Sequence, residues 1–240
     1  MPASRLAILV EAGTHLIFDA LICAYKIGDK VRALKLLGPV TEEMLLMWDK
    51  GLHSYAMVSA TFSKGGDYLG RIPSNVKFLN ETQLDDGSYL SWIYPSGKLR
   101  KKGFGPIQVR VIEYTIENYD RPEAQIRYRL ITSLLEAEKF TAQLLACEYH
   151  QGWEVENTID ELKVHLLGRK THIRSQNPKE VVQEIYGLLL GHWAVRSLIF
   201  QAASNASISP LRLSFTGTLR VVRRALPKFQ GLQPQELPFF

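Results

Sequence analysis

MLLMWDKGLHSYAMVSATFSKGGDYLGRI, residues 44–72, holds two kinds of local order in close succession. Met44 to Trp48 is a short unbroken apolar run, as expected of a strand covered on both faces. Asp49-Lys50-Gly51 ends it. Ser54 offers a hydroxyl to cap a helix running to Phe62, and Asp67 to Ile72 reads as a second short strand. Strand, helix and strand in a row predict an α/β layer. Asp49 then falls at the C-terminal end of a strand, where such sheets present the groups that bind ligands.

Upstream, Leu6 to Val10 and His15 to Ala24 are apolar runs joined by Ala12-Gly13-Thr14, which predicts two adjacent strands. Val31, Leu34 and Leu37 give Asp29 to Leu37 a helical period, stopped by Gly38-Pro39. Downstream the texture changes. Turn signals at Asp86-Gly87, Pro95-Ser96-Gly97 and Lys102-Gly103 separate β-rich runs at Tyr89 to Tyr94, Gln108 to Ile116 and Ile126 to Thr132. Val109, Val111, Glu113 and Thr115 alternate with Arg110, Ile112, Tyr114 and Ile116, which predicts a mostly antiparallel insertion with one face toward solvent. From Ser133 the chain turns helical, with candidates at Glu136 to Glu148 and Glu154 to Leu167. Pro178 to Ala203 reads as a long final helix, capped by Asn177 with Pro178 at its first position. Pro227, Pro234 and Pro238 break the tail.

A chain that is 46% hydrophobic and 22% charged can bury a core and is not disordered by composition. Its net charge of +5 points weakly to a polyanionic partner. Cys23 and Cys147 are too few and too far apart for a zinc site or a disulfide scaffold, and free thiols suit a reducing cytoplasm. Leu6 to Val10 is too short for a signal peptide, and Ile185 to Phe200, holding His192 and Arg196, is too short and polar to span a membrane. The histidines show no paired ligand spacing, and no phosphate-loop motif is present. Lys98, Arg100, Lys101 and Lys102 form a basic loop cluster.

The segment from Tyr149 to Lys163 reads YHQGWEVENTIDELK. On a helix, Tyr149, Trp153, Glu156, Asp160 and Lys163 fall near one face. By spacing alone this is either a functional stripe or a solvated ion-pair ladder beside core aromatics. Arg220, Arg223 and Arg224 similarly share a helix face that could meet phosphates or simply be solvated.

The same segment resembles the signature of the IS-four-like group of bacterial insertion-sequence DDE transposases, a Tyr, Arg, Glu and Lys at fixed spacing. Here those positions are Tyr149, Gly152, Glu156 and Lys163. The stretches Leu9 to His15, Phe18 to Ala20, Leu45 to Gly51, Leu211 to Thr216 and Arg220 to Arg224 resemble further parts of the group in the same order. The resemblance implies an RNase-H-like fold: a mixed sheet with flanking helices, interrupted by a β-rich insertion before the last catalytic helix. It implies an organisation of partial catalytic core at 1–72 lacking its first strand, insertion at 73–132, helical remainder of the core with the Glu helix at 133–226, and flexible tail at 227–240. It implies that Asp49 and Glu156 are catalytic ligands of Mg2+ or Mn2+ in a two-metal site. Tyr149 and Lys163 would hold the DNA end, with Arg220, Arg223 and Arg224 as further DNA contacts. The implied partners are double-stranded DNA, both element terminal repeats and target, and a second copy or an intact transposase. The implied location is the bacterial cytoplasm with the nucleoid, with no membrane partner.

Two departures shape the expectation. Gly152 stands where the group has Arg, which removes a planar phosphate fork and would cost about 1 kcal/mol inside a helix. The group's first aspartate precedes the segment like Leu6 to His15, and neither Glu11 nor Asp19 is assigned to its role. The sequence therefore reads as a truncated, inactive copy of a transposase, or as a DNA-end-binding inhibitor of transposition without catalysis.

Overall fold

A computed structural model describes residues 4–116, 126–152, 154–167, 173–175 and 177–229. The chain opens on a hairpin of β1 (Ser4–Val10) and β2 (Ile17–Ala24), as the two apolar runs predict. The chain, hairpin included, divides into two compact units. One holds residues 4–7 and 23–152; the other holds 8–22 and the described residues beyond 152.

The first unit contains α1 (Asp29–Lys35), β3 (Leu45–Trp48), α2 (Tyr55–Phe62), β4 (Asp67–Arg71), β5 (Thr82–Gln83), β6 (Tyr89–Ile93), α3 (Gly97–Arg100), β7 (Ile107–Ile116), β8 (Ile126–Thr132) and α4 (Ala142–Gln151). Its six strands lie in the order β3-β4-β8-β7-β6-β5. β3 and β4 run parallel, with Trp48 paired to Gly70, and the other neighbours are antiparallel. The antiparallel run therefore extends the sheet begun by β3 and β4. The Ser54 hydroxyl caps α2 by accepting from Met57 N, as its position predicts.

Alternation along the strands sends neighbouring residues to opposite faces. Tyr68, Val109, Val111 and Ile131 pack with Leu37, Met57 and Val58 from the α1 and α2 side. Leu69, Ile112 and Leu130 pack with Leu145 of α4. Helices thus cover both faces of a mixed sheet, an RNase-H-like arrangement. This corrects the reading of β7 as open to solvent on one side. Val109 through Ile112 are all buried, and only the strand's far end emerges. Arg110 is buried completely because every edge of its guanidinium finds an acceptor. It is paired with Asp86 and donates to Ser88 Oγ at 2.8 Å and to the carbonyls of Leu134 and Phe140 at 3.2 and 2.6 Å. β3, by contrast, is less covered than its apolar run predicts. Among the described residues it has only β4 beside it, and Leu45 is exposed.

The second unit carries α5 (Glu154–Asp160), which continues into wider π-helical turns at Glu161–Leu166, then α6 (Pro178–Asn205) and α7 (Phe215–Phe229). Asn177 Oδ1 caps α6 by accepting from Lys179 N. α6 is not the last helix: the turn at Ser209–Pro210 starts a return, and Phe215 and Leu219 of α7 bury against Val195 and Ile199 of α6. α7 passes through Pro227, which lies in its last turn, where little helix remains to break. Among the described residues no helix is long and apolar enough to cross a membrane.

Candidate functional site

Parallel pairing decides what stands beside Asp49. Because Trp48 lies opposite Gly70, the next residues of the two strand ends, Asp49 and Arg71, are neighbours, and Arg71 Nη1 lies 3.7 Å from Asp49 Oδ1. Asp49 follows β3 in extended conformation and begins a short 3-10 turn, leaving its side chain 64% exposed. Tyr149, from the α4 face that packs on the sheet, brings its hydroxyl to the same place. Burial, and next the Asp49 carboxylate, push that hydroxyl's pKa well above the ordinary tyrosine value. The fold thus gathers two residues, 49 and 149, that the sequence singled out separately.

Arg71 is a residue the sequence reading missed. Its guanidinium also lies over the Tyr128 ring at 4.3 Å, and Tyr128 stacks on Tyr114 with centroids 5.4 Å apart. His150 packs edge-on against both rings, and its Nε2 is 2.9 Å from the Tyr114 hydroxyl. Burial and the Arg71 charge hold the His150 pKa below its usual value. The available signal was register: Arg71 is the residue that follows Gly70, the strand partner of Trp48.

The stripe from Tyr149 to Lys163 is not one helix. α4 ends at Gln151 with Gly152 as its C-cap, and α5 starts at Glu154; Trp153 lies outside the described residues. Gly152 is therefore at a helix end, and the interior-glycine cost does not apply. A Cβ there would stand 3.0 Å from the Tyr149 carbonyl oxygen and 3.6 Å from Met47 Sδ. Tyr149 belongs to the first unit, Glu156 and Lys163 to the second. The π turns take Lys163 off the 3.6-residue period that sets it two turns from Glu156.

In the second unit Glu156, Asp160 and Lys163 are exposed, while Thr158, Glu161 and Leu162 are buried. Glu161 accepts from His192 Nε2 at 3.0 Å and from Arg196 Nε at 2.9 Å, and Arg196 Nη2 donates to its other oxygen. His15 Nδ1 lies 3.1 Å from that oxygen, and His15 Nε2 donates to Glu154 at 2.6 Å. Burial raises the Glu161 pKa, but the bonds from His15, His192 and Arg196 prevail and hold it at about 2. A cleft of about 360 Å³ opens beside this group, lined by Glu154, Asn157, His165, Arg196, Ser214 and Thr216 among others. Arg220, Arg223 and Arg224 are exposed on α7.

Carboxylate oxygens are the right donor type for a hard dication; the Glu156 side chain is exposed, and that of Asp49, 64% exposed, already faces Arg71 and the Tyr149 hydroxyl. Among the described residues no group of three or more His, Cys, Asp or Glu converges into a metal-binding cluster.

A family model described as "Transposase DDE domain" matches residues 2–192. The chain is also 26% identical over 243 residues to a protein of Escherichia coli K12, "Transposase InsG for insertion sequence element IS4". That match covers 99% of this chain and 53% of the relative, so the chain spans about half the length of the curated protein it resembles.

Proposed function

This chain belongs to the transposase DDE domain family, and on that premise we propose that it carries part of a centre that cleaves DNA phosphodiester bonds and joins the ends of an insertion sequence to target DNA. The observation that carries this reading is the exposed Asp49 carboxylate at the C-terminal end of β3, 3.7 Å from Arg71, with the signature's first residue, Tyr149, near enough to feel its charge though a hundred positions separate them. Asp49 and Glu156 would hold Mg2+ or Mn2+. When bound, such a metal lowers the pKa of an attacking water and stabilises a leaving oxygen. The chain's own residues do the rest. Tyr149 and Lys163 orient the DNA end, and Arg71 offers a planar guanidinium next to Asp49, suited to a phosphate oxygen. Such chemistry belongs to the bacterial cytoplasm, where the nucleoid lies.

A second reading is that the chain binds DNA without cutting it. The exposed Arg220, Arg223 and Arg224 favour this second role, as a binder of element ends or an inhibitor of transposition, because their contacts need no metal. A supercoiled-plasmid assay with Mn2+ tests the first point. No nicking is expected from the chain alone, and nicking abolished by Asp49→Ala would refute the inactivity. A gel shift on terminal-repeat DNA tests the second. Binding should weaken steeply with salt, and removing the three arginines should flatten the slope by about 3 in log K against log salt. No shift at low salt would remove the binding role.

A further inference from the structure

Glu154 and Glu161 are seven residues apart, two turns of helix, so their side chains leave α5 and its continuation on one face. Glu156 lies about 200° round from Glu154 on the same helix, at 3.6 residues per turn. It is exposed while the face opposite it is held. One residue holds both ends of that face: His15 Nε2 bonds Glu154 at 2.6 Å, and His15 Nδ1 lies 3.1 Å from Glu161. The Glu161 carboxylate is in turn gripped by His192 and Arg196, one turn apart on α6. Phe215 of α7 backs both, with its ring 5.3 Å from the His192 ring and 5.5 Å from the Arg196 guanidinium.

The grip is costly in every part. His15 sits at φ 60, the left-handed region that few non-glycine residues occupy, though His, like Asn and Asp, enters it more readily than most. Arg196 is 3% exposed and keeps Nη1 without a partner among the described residues, as His192 does with Nδ1. Burying an ionised glutamate and an arginine gains little stability over apolar residues of the same volume. What it does supply is a fixed rotation of one helix about its axis.

We propose that His15, Glu161, His192 and Arg196 form a positioning clamp that sets the rotation of the helix between Glu154 and Glu161, and so aims the Glu156 carboxylate. The clamp rests on the reading of Glu156 as a metal ligand. His15 is the central positioning residue: it ties the two turns on either side of Glu156 to the hairpin of β1 and β2. Direct hydrogen-bond partners of metal ligands change affinity by about 10–100-fold when removed, and the clamp, acting through the helix and not on Glu156 itself, belongs at the low end of that range.

Asn tolerates positive φ, so His15→Asn removes the strap and leaves the backbone turn unstrained. Mn2+ is the probe, its free fraction read by electron paramagnetic resonance in the full chain, alongside amide hydrogen exchange. Glu156→Gln should weaken Mn2+ binding at least 10-fold. His15→Asn should weaken it about 10-fold and speed exchange in Glu154–Leu166, with exchange in the six-stranded unit unchanged. Arg196→Lys, which keeps the charge but not the two-point grip, should fall between His15→Asn and the wild type. Mn2+ binding lost in Glu156→Gln but intact in His15→Asn and Arg196→Lys would overturn the clamp and leave the metal reading standing. Binding unchanged by Glu156→Gln, or absent from the wild-type chain, would overturn the metal reading and the clamp with it.

Discussion

Gly70→Ala tests the packing that places Asp49. A Cβ on Gly70 would stand 2.2 Å from Trp48 Cε2 and Nε1 and 2.7 Å from Cζ2. Carbon atoms pack best at about 3.5–4.0 Å, so the indole would have to retreat by roughly 1.3–1.8 Å. It has nowhere to go. Trp48 is 4% exposed and lies 5.3 Å from the Tyr68 ring in a stacked pair, inside the cluster that joins the sheet to α1 and α2. Overpacking of this kind costs about 1–3 kcal/mol, and the rigid indole puts this site near 3. For a chain of this size that is a fall in Tm of roughly 6–12 °C. The assay is thermal and urea unfolding followed by far-ultraviolet circular dichroism. Gly97→Ala is the control, since its Cβ meets nothing within 4 Å. A Gly70→Ala protein within about 0.5 kcal/mol of the wild type would refute the placement of the Trp48 indole over Gly70.

Two further perturbations address buried charge. Asp86→Asn leaves the Arg110 guanidinium buried without its counter-charge and should cost about 3–5 kcal/mol in urea unfolding. Asp86→Asn combined with Arg110→Met should recover much of that loss, and equal losses in single and double variants would count against the pairing. His53 is held neutral, its pKa pushed down to about 4 by burial and then by Lys30. The unfolded chain takes up that proton near pH 6.5, so stability is complete above about 6.5 and is lost as pH falls from there toward 4. The loss should be on the order of 1–3 kcal/mol, and His53→Gln should flatten the acid limb of stability over that window; an unchanged limb would exclude His53 as its source.

Much of the fold could be read from local pattern. Ser54 and Asn177 announced their helices through cap chemistry, and the apolar runs at Leu6, Asp67, Tyr89 and Ile126 became strands. What could not be read depended on distant partners. Arg110 looks like a solvent-facing residue in an alternating strand, because nothing near it in sequence shows that Asp86 and two carbonyls await it. Gly152 looks like a flaw inside a helix until the helix is seen to end there. β5 and α3 are too short to carry a period. Of the proposed functional residues, Asp49 was legible from its place at a strand end and Tyr149, Glu156 and Lys163 from the signature, whereas Arg71 needed the parallel register and the clamp needed His15 to meet Glu161, 146 positions away.

That last separation also bears on how the chain is made. The six-stranded unit interrupts the other one, which begins at residue 8 and resumes only after 152. A ribosome therefore releases the whole sheet before it has supplied the partners that His15 requires. At about 5–20 residues per second, His15 leaves the peptidyl-transferase centre roughly 7–30 s ahead of Glu161. Through that interval the His15 ring lacks the Glu154 and Glu161 carboxylates that hold it, while residues 23–152 can collapse as a continuous piece. Synthesis in order thus favours the sheet folding first and the helical half closing last, around a nascent segment that must stay unsatisfied until the C-terminal half emerges.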